Sequence, residues 1–358
     1  MRRAWHALDV LTVPAADALH VFVARLATRF FAAPARTRQR LLRSADASAM
    51  RLALALAVRS ELLRDPSATQ AERSLEKALR SRLADALRAE NLRARALDAG
   101  SPETLLDAVR YHDAVHPVVS EADLRRRLAP DRALYALVHK SRPNAALAFA
   151  EVALTRGLPK RVDRLLDPAA PILSPSAVDH GVFFGISNTE PGAAGLSLGS
   201  TLIERMLDLL GMRFPHVPHW VTLSPIPGLR AWLEASLKDP EARTPIEAIG
   251  AESGVSIAEL SATVDAAQHR TAKVARSGGT ESSSVLRALA EHYLASTDER
   301  GRPIDPVARF HMGNGARLDA VLLDADRSIK GMAQSLGVMA SYAYVVGGRR
   351  VGEGAEAP

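Results

Sequence analysis

Two short segments each place one reactive side chain among residues that control the backbone. Residues 223–228 read Leu-Ser-Pro-Ile-Pro-Gly and contain Ser224. Residues 310–316 read Phe-His-Met-Gly-Asn-Gly-Ala and contain His311. Proline fixes φ, and glycine adopts conformations that other residues avoid. Such segments can hold a hydroxyl or an imidazole still, as a catalytic group requires. They indicate a serine and a histidine that could carry out chemistry.

Both residues also have a purely structural interpretation. Ser224 follows a predicted strand outside any Gly-x-Ser-x-Gly pattern, which argues against a serine hydrolase of the α/β type. Its hydroxyl could instead bond to its own backbone. We expect His311 in a loop or at a strand end, where an ordinary histidine pKa would suit a proton donor. A buried histidine that bonds a backbone carbonyl is the alternative.

A glycine-containing segment, residues 193–200, lies between a predicted strand and a predicted helix and reads Ala-Ala-Gly-Leu-Ser-Leu-Gly-Ser. Unpaired N–H groups and the positive end of a helix dipole bind phosphate at such a position. The segment is not a Walker A loop, because it lacks Gly-Lys-Ser/Thr, and it lacks the full Gly-x-Gly-x-x-Gly pattern. A plain turn with Ser200 as helix N-cap is the alternative.

Two pairs of side chains have suggestive spacings. Tyr342 and Tyr344 are spaced to share one face of a strand, where they could serve a site or simply pack in the core. His112 and His116 have the spacing of helical metal ligands, but Pro117 follows at once and no glutamate accompanies them. We therefore expect no metal site.

The composition narrows the function classes. The chain has 358 residues, which favours two domains. It contains no cysteine, which excludes disulfides, cysteine-based zinc sites and a cysteine nucleophile, and fits a reducing compartment. No apolar run is long enough to span a bilayer, so we expect no membrane association. A bacterial cytoplasmic location is favoured. The Arg-rich start also fits a mitochondrial transit peptide, but Asp9 and Asp17 weaken that interpretation.

Positive charge is concentrated near the start of the chain. Residues 1–100 hold 18 Lys and Arg against 10 Asp and Glu, whereas the remainder holds 28 against 30. Such a segment could bind an anionic partner or could be a solvated helical face. No helix-turn-helix, zinc-finger or aromatic-stacking pattern is present, so we expect no nucleic-acid binding.

Hydrophobic periodicity divides the chain into two parts. Leu75, Leu79, Leu83 and Leu87 recur every four residues and help to predict an all-helical segment over residues 15–108. Later in the chain, strands are predicted over residues 132–139, 146–155, 181–187 and 219–223. Helices are predicted over residues 200–212 and 285–296, and a loop over residues 277–284. Residues 318–346 show mixed strand and helix signals. We predict an α+β chain with a helical N-terminal domain at residues 1–108 and a mixed α/β domain at residues 109–358.

Several segments, taken together in order, resemble malonyl-CoA decarboxylase. The resemblance is carried by residues 114–118 (Ala-Val-His-Pro-Val), 213–216 (Arg-Phe-Pro-His), 223–228, 306–316 (Pro-Val-Ala-Arg-Phe-His-Met-Gly-Asn-Gly-Ala) and 337–344 (Gly-Val-Met-Ala-Ser-Tyr-Ala-Tyr). It covers about residues 111–346. It implies a helical domain followed by an acetyltransferase-like (GNAT-type) catalytic domain that converts malonyl-CoA to acetyl-CoA and CO2.

The resemblance also implies roles for individual residues. Ser224 and His311 would be the catalytic pair, and Tyr344 would occupy a further active-site position. Ser224 and His311 would also contact the substrate, together with the coenzyme A-binding residues Ala194, Gly195, Leu196, Ser197, Leu198, Gly199 and Ser200. His311 would donate a proton or hold the enolate, and Ser224 would orient the carboxylate and accept its proton, supported by Tyr344. No metal or organic cofactor is expected. Coenzyme A enters as part of the substrate.

Two departures from the family pattern bear on activity and on assembly, respectively. Family members carry a glutamate where this chain has Ser197, and the helical domain looks shorter than usual. A coenzyme A-dependent acyltransferase and a catalytically weak malonyl-CoA-binding protein on the same scaffold are the alternatives. The shorter helical domain bears on assembly, for which we expect a homo-oligomer formed through that domain.

Overall fold

The computed structural model describes residues 49–345 except 253, 260, 262–263 and 265–279. The chain divides into two compact units. Unit 1 comprises the described residues up to Arg95 together with Leu137–Ala148 and Asn188–Leu198. Unit 2 comprises Ala96–Ala136, Phe149–Ser187 and the described residues from Gly199 onward. The domain boundary between residues 108 and 109 stays a prediction.

Helices and strands follow one another along the described chain. The α-helices include α1 (Ala49–Arg64), α2 (Gln70–Ala86), α3 (Glu103–His112), α4 (Glu121–Arg127), α5 (Asp163–Leu166), α6 (Leu198–Arg213), α7 (Leu229–Lys238), α8 (Pro240–Glu252), α9 (Thr280–Ala295), α10 (Pro306–Gly313) and α11 (Ile329–Ser335). The strands are β1 (Leu92–Leu97), β2 (Arg132–His139), β3 (Arg142–Thr155), β4 (His180–Asn188), β5 (His219–Thr222), β6 (Ser224–Pro225), β7 (Arg317–Leu322) and β8 (Met339–Tyr344). None of these helices is both long and apolar enough to cross a bilayer.

The four strands predicted before residue 224 are present as β2, β3, β4 and β5, and the helix predicted over residues 200–212 is α6. The mixed signals over residues 318–346 correspond to β7, α11 and β8. The mixed α/β class predicted for the later part of the chain is therefore confirmed. Continuous buried apolar runs mark β2 and β3, and β-branched and aromatic residues mark β4 and β5.

Two element predictions were wrong in part. The segment predicted as all-helical contains strand β1, in which Leu92 and Leu97 are buried while the arginines between them reach outward. Its Arg-, Ala- and Leu-rich composition is that of a helix, so composition concealed the strand. The loop predicted over residues 277–284 is helical from Thr280 onward. Residues 277–279 of that loop lie outside the described residues.

The strands form one mixed sheet in the order β1-β2-β3-β4-β5-β8-β6, and β7 pairs with β8 outside this path. Strands β4 and β5 are parallel, with Phe183 opposite Thr222. Strand β8 is antiparallel to β5, β6 and β7. Because β8 lies beside both β5 and β6, the residues around Thr222 and Ser224 meet the middle of β8.

Unit 2 has a hydrophobic core beneath this part of the sheet. The core cluster takes Val182 and Phe184 from β4, Val221 from β5, and Met339 and Ala343 from β8. Each of these residues is buried. Burying apolar surface of this kind stabilises the fold by roughly 25 cal/mol per Å². It also fixes the relative positions of β4, β5 and β8, of which β5 carries Thr222 and β8 carries Tyr344.

A buried cluster of charges surrounds Arg127, the last residue of α4. Its guanidinium donates to Asp113 (2.7 Å), Asp123 (3.0 Å) and both carboxylate oxygens of Glu151 in β3 (2.9 Å). It also donates to the backbone oxygen of His116 at 2.7 Å. Burial raises the pKa of Glu151 to about 8, with the negative charge of Asp113 adding to the shift and Arg127 opposing it. One cation thus compensates several buried acidic groups.

Candidate active site

The catalytic histidine predicted from the sequence lies on a helix. His311 is in α10 and not in the loop or strand end that we expected, so that prediction was wrong. Asp305 caps the helix by accepting hydrogen bonds from the N–H groups of Val307 (2.9 Å) and Ala308 (2.8 Å). Pro306 occupies the first turn, where a missing N–H group costs nothing. The Gly-Asn-Gly sequence that suggested a loop instead marks the end of this short helix.

Ser224, His311 and Tyr344 form a buried hydrogen-bonded series. Oγ of Ser224 lies 3.0 Å from Nε2 of His311. The other ring nitrogen of His311, Nδ1, lies 2.7 Å from the hydroxyl oxygen of Tyr344. Strand β6 supplies the serine, α10 the histidine and β8 the tyrosine, and all three side chains are buried. Three residues far apart in sequence therefore meet at one point of unit 2.

Burial sets the protonation states of this series. It lowers the pKa of His311 to about 4, because the charged imidazolium would lose its hydration. It raises the pKa of Tyr344 well above the usual value for the same reason. At pH 7 the imidazole is therefore neutral and the phenol keeps its proton. Proton transfer can then run along neutral hydrogen bonds.

Tyr342 and Tyr344 approach His311 in different ways. The ring of Tyr342 stacks on the imidazole, with ring centroids 4.8 Å apart and planes 24° from parallel. Phe310 packs edge-on against the imidazole at 5.1 Å. Tyr344 makes the hydrogen bond described above. The two tyrosines share a face of β8, as their spacing predicted, but one packs on the ring and the other bonds to it.

Thr222 was missed in the sequence analysis. The hydroxyl of Ser224 donates a hydrogen bond to Oγ1 of Thr222 at 2.8 Å. The same Oγ1 accepts the backbone N–H of Tyr342 at 3.1 Å. Threonine is common in strands for packing reasons alone, so its type gave no signal. Its position two residues before Ser224 could have suggested a common face, had the strand been extended to the serine.

The predicted coenzyme A-binding segment joins β4 to α6, as the sequence indicated. Helix α6 begins at Leu198, so Ser200 lies inside it and the interpretation of Ser200 as N-cap is wrong. Gly195 has φ of 72°, a left-handed conformation that glycine adopts without strain. Ser197 has φ of 55° and is exposed, which is uncommon for a residue with a Cβ. The residue that departs from the family pattern therefore sits at a conformationally special position.

Arg59 of α1 holds this segment within unit 1. Its guanidinium donates to the backbone oxygens of Gly192 (2.6 Å) and Ala194 (2.8 Å). It also pairs with Glu76 of α2 at 2.9 Å, and the Arg59 side chain is almost fully buried. The basic N-terminal part of the chain thus includes an arginine with a defined structural task, which composition alone did not reveal.

The start of α6 packs against the neighbour of the histidine. A Cβ placed on Gly199 would lie 3.0 Å from two ring carbons of Phe310, which is tighter than ordinary contact. Glycine at this position therefore lets α6 and α10 approach closely within unit 2. The predicted site residues in unit 1 are Ala194, Gly195, Leu196, Ser197 and Leu198, and those in unit 2 are Gly199, Ser200, Ser224, His311 and Tyr344.

Within the described ranges, no group of three or more His, Asp or Glu side chains is arranged to hold a metal ion. His112 ends α3 and is exposed, whereas His116 is buried after that helix has ended. The two histidines do not share a helix, so their spacing has no structural meaning as a ligand pair.

Comparison with known proteins relates the chain to one enzyme family. A sequence model of the malonyl-CoA decarboxylase C-terminal domain matches residues 91–350. Mitochondrial malonyl-CoA decarboxylase of Rattus norvegicus is 31% identical over 259 residues, covering 68% of this chain and 51% of the rat protein. The Anser anser anser protein of the same name is 30% identical over 255 residues. The chain spans about half the length of these curated relatives.

Solved structures of similar proteins agree with this match. A crystal structure of malonyl-CoA decarboxylase from Rhodopseudomonas palustris superposes with a TM-score of 0.72 at 27% identity, covering 94% of this chain and 90% of that one. The corresponding protein from Agrobacterium vitis gives a TM-score of 0.70 at 29% identity, covering 83% and 73%. With most of its length matched both in sequence and in fold, the chain belongs to the malonyl-CoA decarboxylase family.

Proposed function

We propose that the protein decarboxylates malonyl-CoA to acetyl-CoA and CO2. The buried contact series of Ser224, His311 and Tyr344 supports this proposal most strongly, because it offers proton-transfer groups without a charged side chain. A neutral, water-poor site favours loss of CO2 from a carboxylate, since the charge becomes dispersed in the reaction. Membership of the family supplies the substrate class.

The proposed chemistry assigns a step to each residue. The bond between the α-carbon and the carboxylate carbon breaks, and its electron pair passes into a thioester enolate. Ser224 orients the malonyl carboxylate. His311 stabilises the enolate by a hydrogen bond and delivers a proton to the α-carbon. The Tyr344 hydroxyl passes its proton to Nδ1 of His311 as it takes one from solvent, so that no buried tyrosinate accumulates, and exchange with solvent returns the imidazole hydrogen to Nε2 before the next turnover. These side chains suffice without a metal or an organic cofactor.

Substrate binding is assigned to residues 194–200. Backbone N–H groups near the start of α6, with the positive end of its dipole, are suited to the diphosphate of coenzyme A. Support comes from the segment's position between β4 and α6 and from its fixation by Arg59. The proposed finer fold is a helical domain followed by an acetyltransferase-like domain, in which such a segment holds coenzyme A.

The proposal extends to location and assembly. The lack of cysteine fits a reducing compartment such as bacterial cytoplasm. Helical domains commonly pair through their apolar faces, which supports a homo-oligomer. Light scattering of the purified chain would give its mass in solution, and a single-chain mass would contradict this assembly.

The test of the proposed function is a product analysis. Purified protein is incubated with malonyl-CoA, and thioesters are separated by chromatography, alongside Ser224→Ala and the control Ser74→Ala on the exposed face of α2. Acetyl-CoA is expected from the parent and from Ser74→Ala, but not from Ser224→Ala. Turnover that requires an added acyl acceptor would instead indicate an acyltransferase. Binding without turnover would indicate a malonyl-CoA-binding protein, and Ser197→Glu would then be the first variant to test.

Removal of the Tyr344 hydroxyl should slow catalysis without weakening binding. The Tyr344→Phe variant keeps the ring but leaves Nδ1 of His311 without its partner. General acid–base groups typically contribute about 100-fold or more, so we expect kcat to fall by roughly 10- to 100-fold with KM nearly unchanged. Tyr111→Phe, an exposed tyrosine, is the control. A kcat within threefold of the parent would exclude Tyr344 from proton transfer.

Loss of the Arg59 contacts should weaken substrate binding instead. In Arg59→Met the backbone oxygens of Gly192 and Ala194 lose their donor, and the segment before α6 loosens. Hydrogen bonds from a charged donor contribute about 1.5–3 kcal/mol, so we expect KM for malonyl-CoA to rise by about tenfold or more while kcat changes little. Arg64→Met, at an exposed position of the same helix, should leave both constants unchanged. A reduced kcat at unchanged KM would contradict the assignment.

A further inference from the structure

Thr222 lies at the end of the hydrogen-bonded series and has no role in the chemistry described above. Its Oγ1 accepts hydrogen bonds from the Ser224 hydroxyl and from the N–H of Tyr342, and its side chain is fully buried. We propose that Thr222 is a positioning residue that fixes the direction of the whole series, and thereby places the single imidazole proton of His311 on Nε2. The inference deepens the proposed function and rests on it only for its catalytic consequence.

The Ser224 hydroxyl can donate to only one of its two neighbours, Thr222 and His311. A serine hydroxyl has one hydrogen to donate and two lone pairs to accept with. Ser224 gives its hydrogen to Thr222 at 2.8 Å. Its 3.0 Å contact with Nε2 of His311 must then use a lone pair of Ser224. It follows that Nε2 is the donor in this contact and carries a hydrogen.

The other ring nitrogen of His311, Nδ1, faces Tyr344. A neutral imidazole carries only one N–H group, so a hydrogen on Nε2 leaves Nδ1 as an acceptor. The Tyr344 hydroxyl, 2.7 Å away, can then donate to Nδ1. All donors point the same way, from Tyr344 to His311, from His311 to Ser224, and from Ser224 to Thr222.

Thr222 can hold this direction because the sheet fixes its side chain. The ladder between β5 and β8 runs through Trp220 opposite Tyr344 and Val221 opposite Ala343. The next N–H of β8, that of Tyr342, bonds to the Thr222 side chain. This bond ties Oγ1 to the sheet, and a β-branched side chain has few alternative rotamers. The acceptor offered to Ser224 is therefore fixed by the backbone of two strands.

The direction matters for catalysis because only a protonated Nε2 can serve the proposed step. Nε2 is the ring nitrogen beside Ser224, so in the free enzyme its hydrogen already points towards the place assigned to the malonyl group. When the substrate binds, the Ser224 hydroxyl turns its hydrogen from Thr222 to the malonyl carboxylate, and the Nε2 hydrogen becomes available to the enolate. Without the threonine oxygen, the Ser224 hydroxyl would turn to donate to Nε2. The imidazole hydrogen would then move to Nδ1 and point at Tyr344. His311 would present a lone pair, which cannot protonate an enolate.

The test reads the tautomer of His311 directly. The full chain is labelled with ¹⁵N-histidine, and long-range ¹H–¹⁵N spectra are recorded near pH 7, with the His311 signals assigned by their loss in His311→Asn. The parent and Thr222→Ser should show hydrogen on Nε2, whereas Thr222→Val should show it on Nδ1. Thr222→Ala is a second variant without the hydroxyl, and it should behave as Thr222→Val does. Nε2 protonation in either folded variant without the hydroxyl would overturn the proposal.

Kinetics provide the second readout. We expect kcat for malonyl-CoA to fall by about 100-fold in Thr222→Val with KM within threefold, and to recover in Thr222→Ser. The spectra need no turnover, so they report on Thr222 even if the parent does not decarboxylate malonyl-CoA. If Thr222→Val shifts the tautomer but the parent does not decarboxylate malonyl-CoA, the proposed function is overturned and the role of Thr222 stands. If the parent is active but Thr222→Val leaves the tautomer unchanged, the role of Thr222 is overturned and the proposed function stands.

Discussion

His311→Ala is expected to lower kcat for malonyl-CoA decarboxylation by at least about 100-fold, because it removes the proposed proton donor. The variant also leaves Ser224 and the Tyr344 hydroxyl without their shared partner. Ser224 on β6 and Tyr344 on β8 cannot take over the donor role, because α10 places His311 between them. The loss should therefore appear in kcat and much less in KM.

The pH dependence sharpens this expectation. Burial lowers the pKa of His311 to about 4, so the imidazole stays neutral from pH 6 to pH 8. The parent's kcat should show no ionisation of this group in that range, and the deficit of His311→Ala should be constant across it. Only as the pH falls towards 4, where the ring becomes protonated and Nδ1 can no longer accept from Tyr344, should an ionisation of His311 appear in kcat. Steady-state rates at five pH values would measure this.

The control for this experiment is His112→Ala, at an exposed position at the end of α3. It should have the parent's kcat and KM. Circular dichroism during heating would show whether each variant is folded. A folded His311→Ala protein with kcat within threefold of the parent would exclude His311 as the proton donor. If the rate deficit of His311→Ala appeared only near pH 6.5, the conclusion that the imidazole of His311 is neutral from pH 6 to pH 8 would be contradicted.

The largest expected effect on stability comes from Arg127→Met. The side chain of Arg127 donates to Asp113, Asp123 and Glu151, all of them buried. Removing one partner of a buried ion pair typically costs about 3–5 kcal/mol, because it leaves an uncompensated charge. Here several acidic groups lose the same cation, so the free energy of unfolding should fall by at least about 3 kcal/mol. That is a large share of the roughly 5–15 kcal/mol typical of folded proteins.

Urea unfolding followed by circular dichroism would measure the change. Arg125→Met, on the exposed side of α4, should alter the free energy of unfolding by less than about 0.5 kcal/mol. Adding Asp113→Asn to Arg127→Met should restore part of the loss, because it removes a buried carboxylate that pairs with Arg127. A loss below about 1 kcal/mol in Arg127→Met would show that water or local rearrangement solvates these groups.

The sequence predicted those parts of the fold that depend on local periodicity. Strands β2 to β5 and helix α6 follow from runs of apolar residues, and the segment before α6 follows from its glycines. Strand β1 was missed, because its arginines are also good helix formers. Helix α10 was missed although Asp305 and Pro306 are ordinary helix-start residues, because the following glycines received more weight.

The contacts of the candidate site depend on chain topology. Hydrophobic periodicity along the sequence carries no information about which distant segments lie side by side. Ser224 and His311 were singled out by their types and neighbours, but their 3.0 Å contact spans 87 positions. Thr222 gained its partners only because β8 lies beside both β5 and β6. Likewise, the bonds of Arg59 to the segment before α6 span more than a hundred residues. Such contacts require the folded chain.

The most direct measurement of the central claim is CO2 release from malonyl-CoA labelled with ¹³C in its free carboxylate. The parent and His311→Ala would be followed by mass spectrometry of the gas phase, with acetyl-CoA measured in solution. We expect one labelled CO2 for each acetyl-CoA formed by the parent, and at least about 100-fold slower release from His311→Ala. No labelled CO2 from a folded parent that binds malonyl-CoA, or equal release from both proteins, would contradict the account.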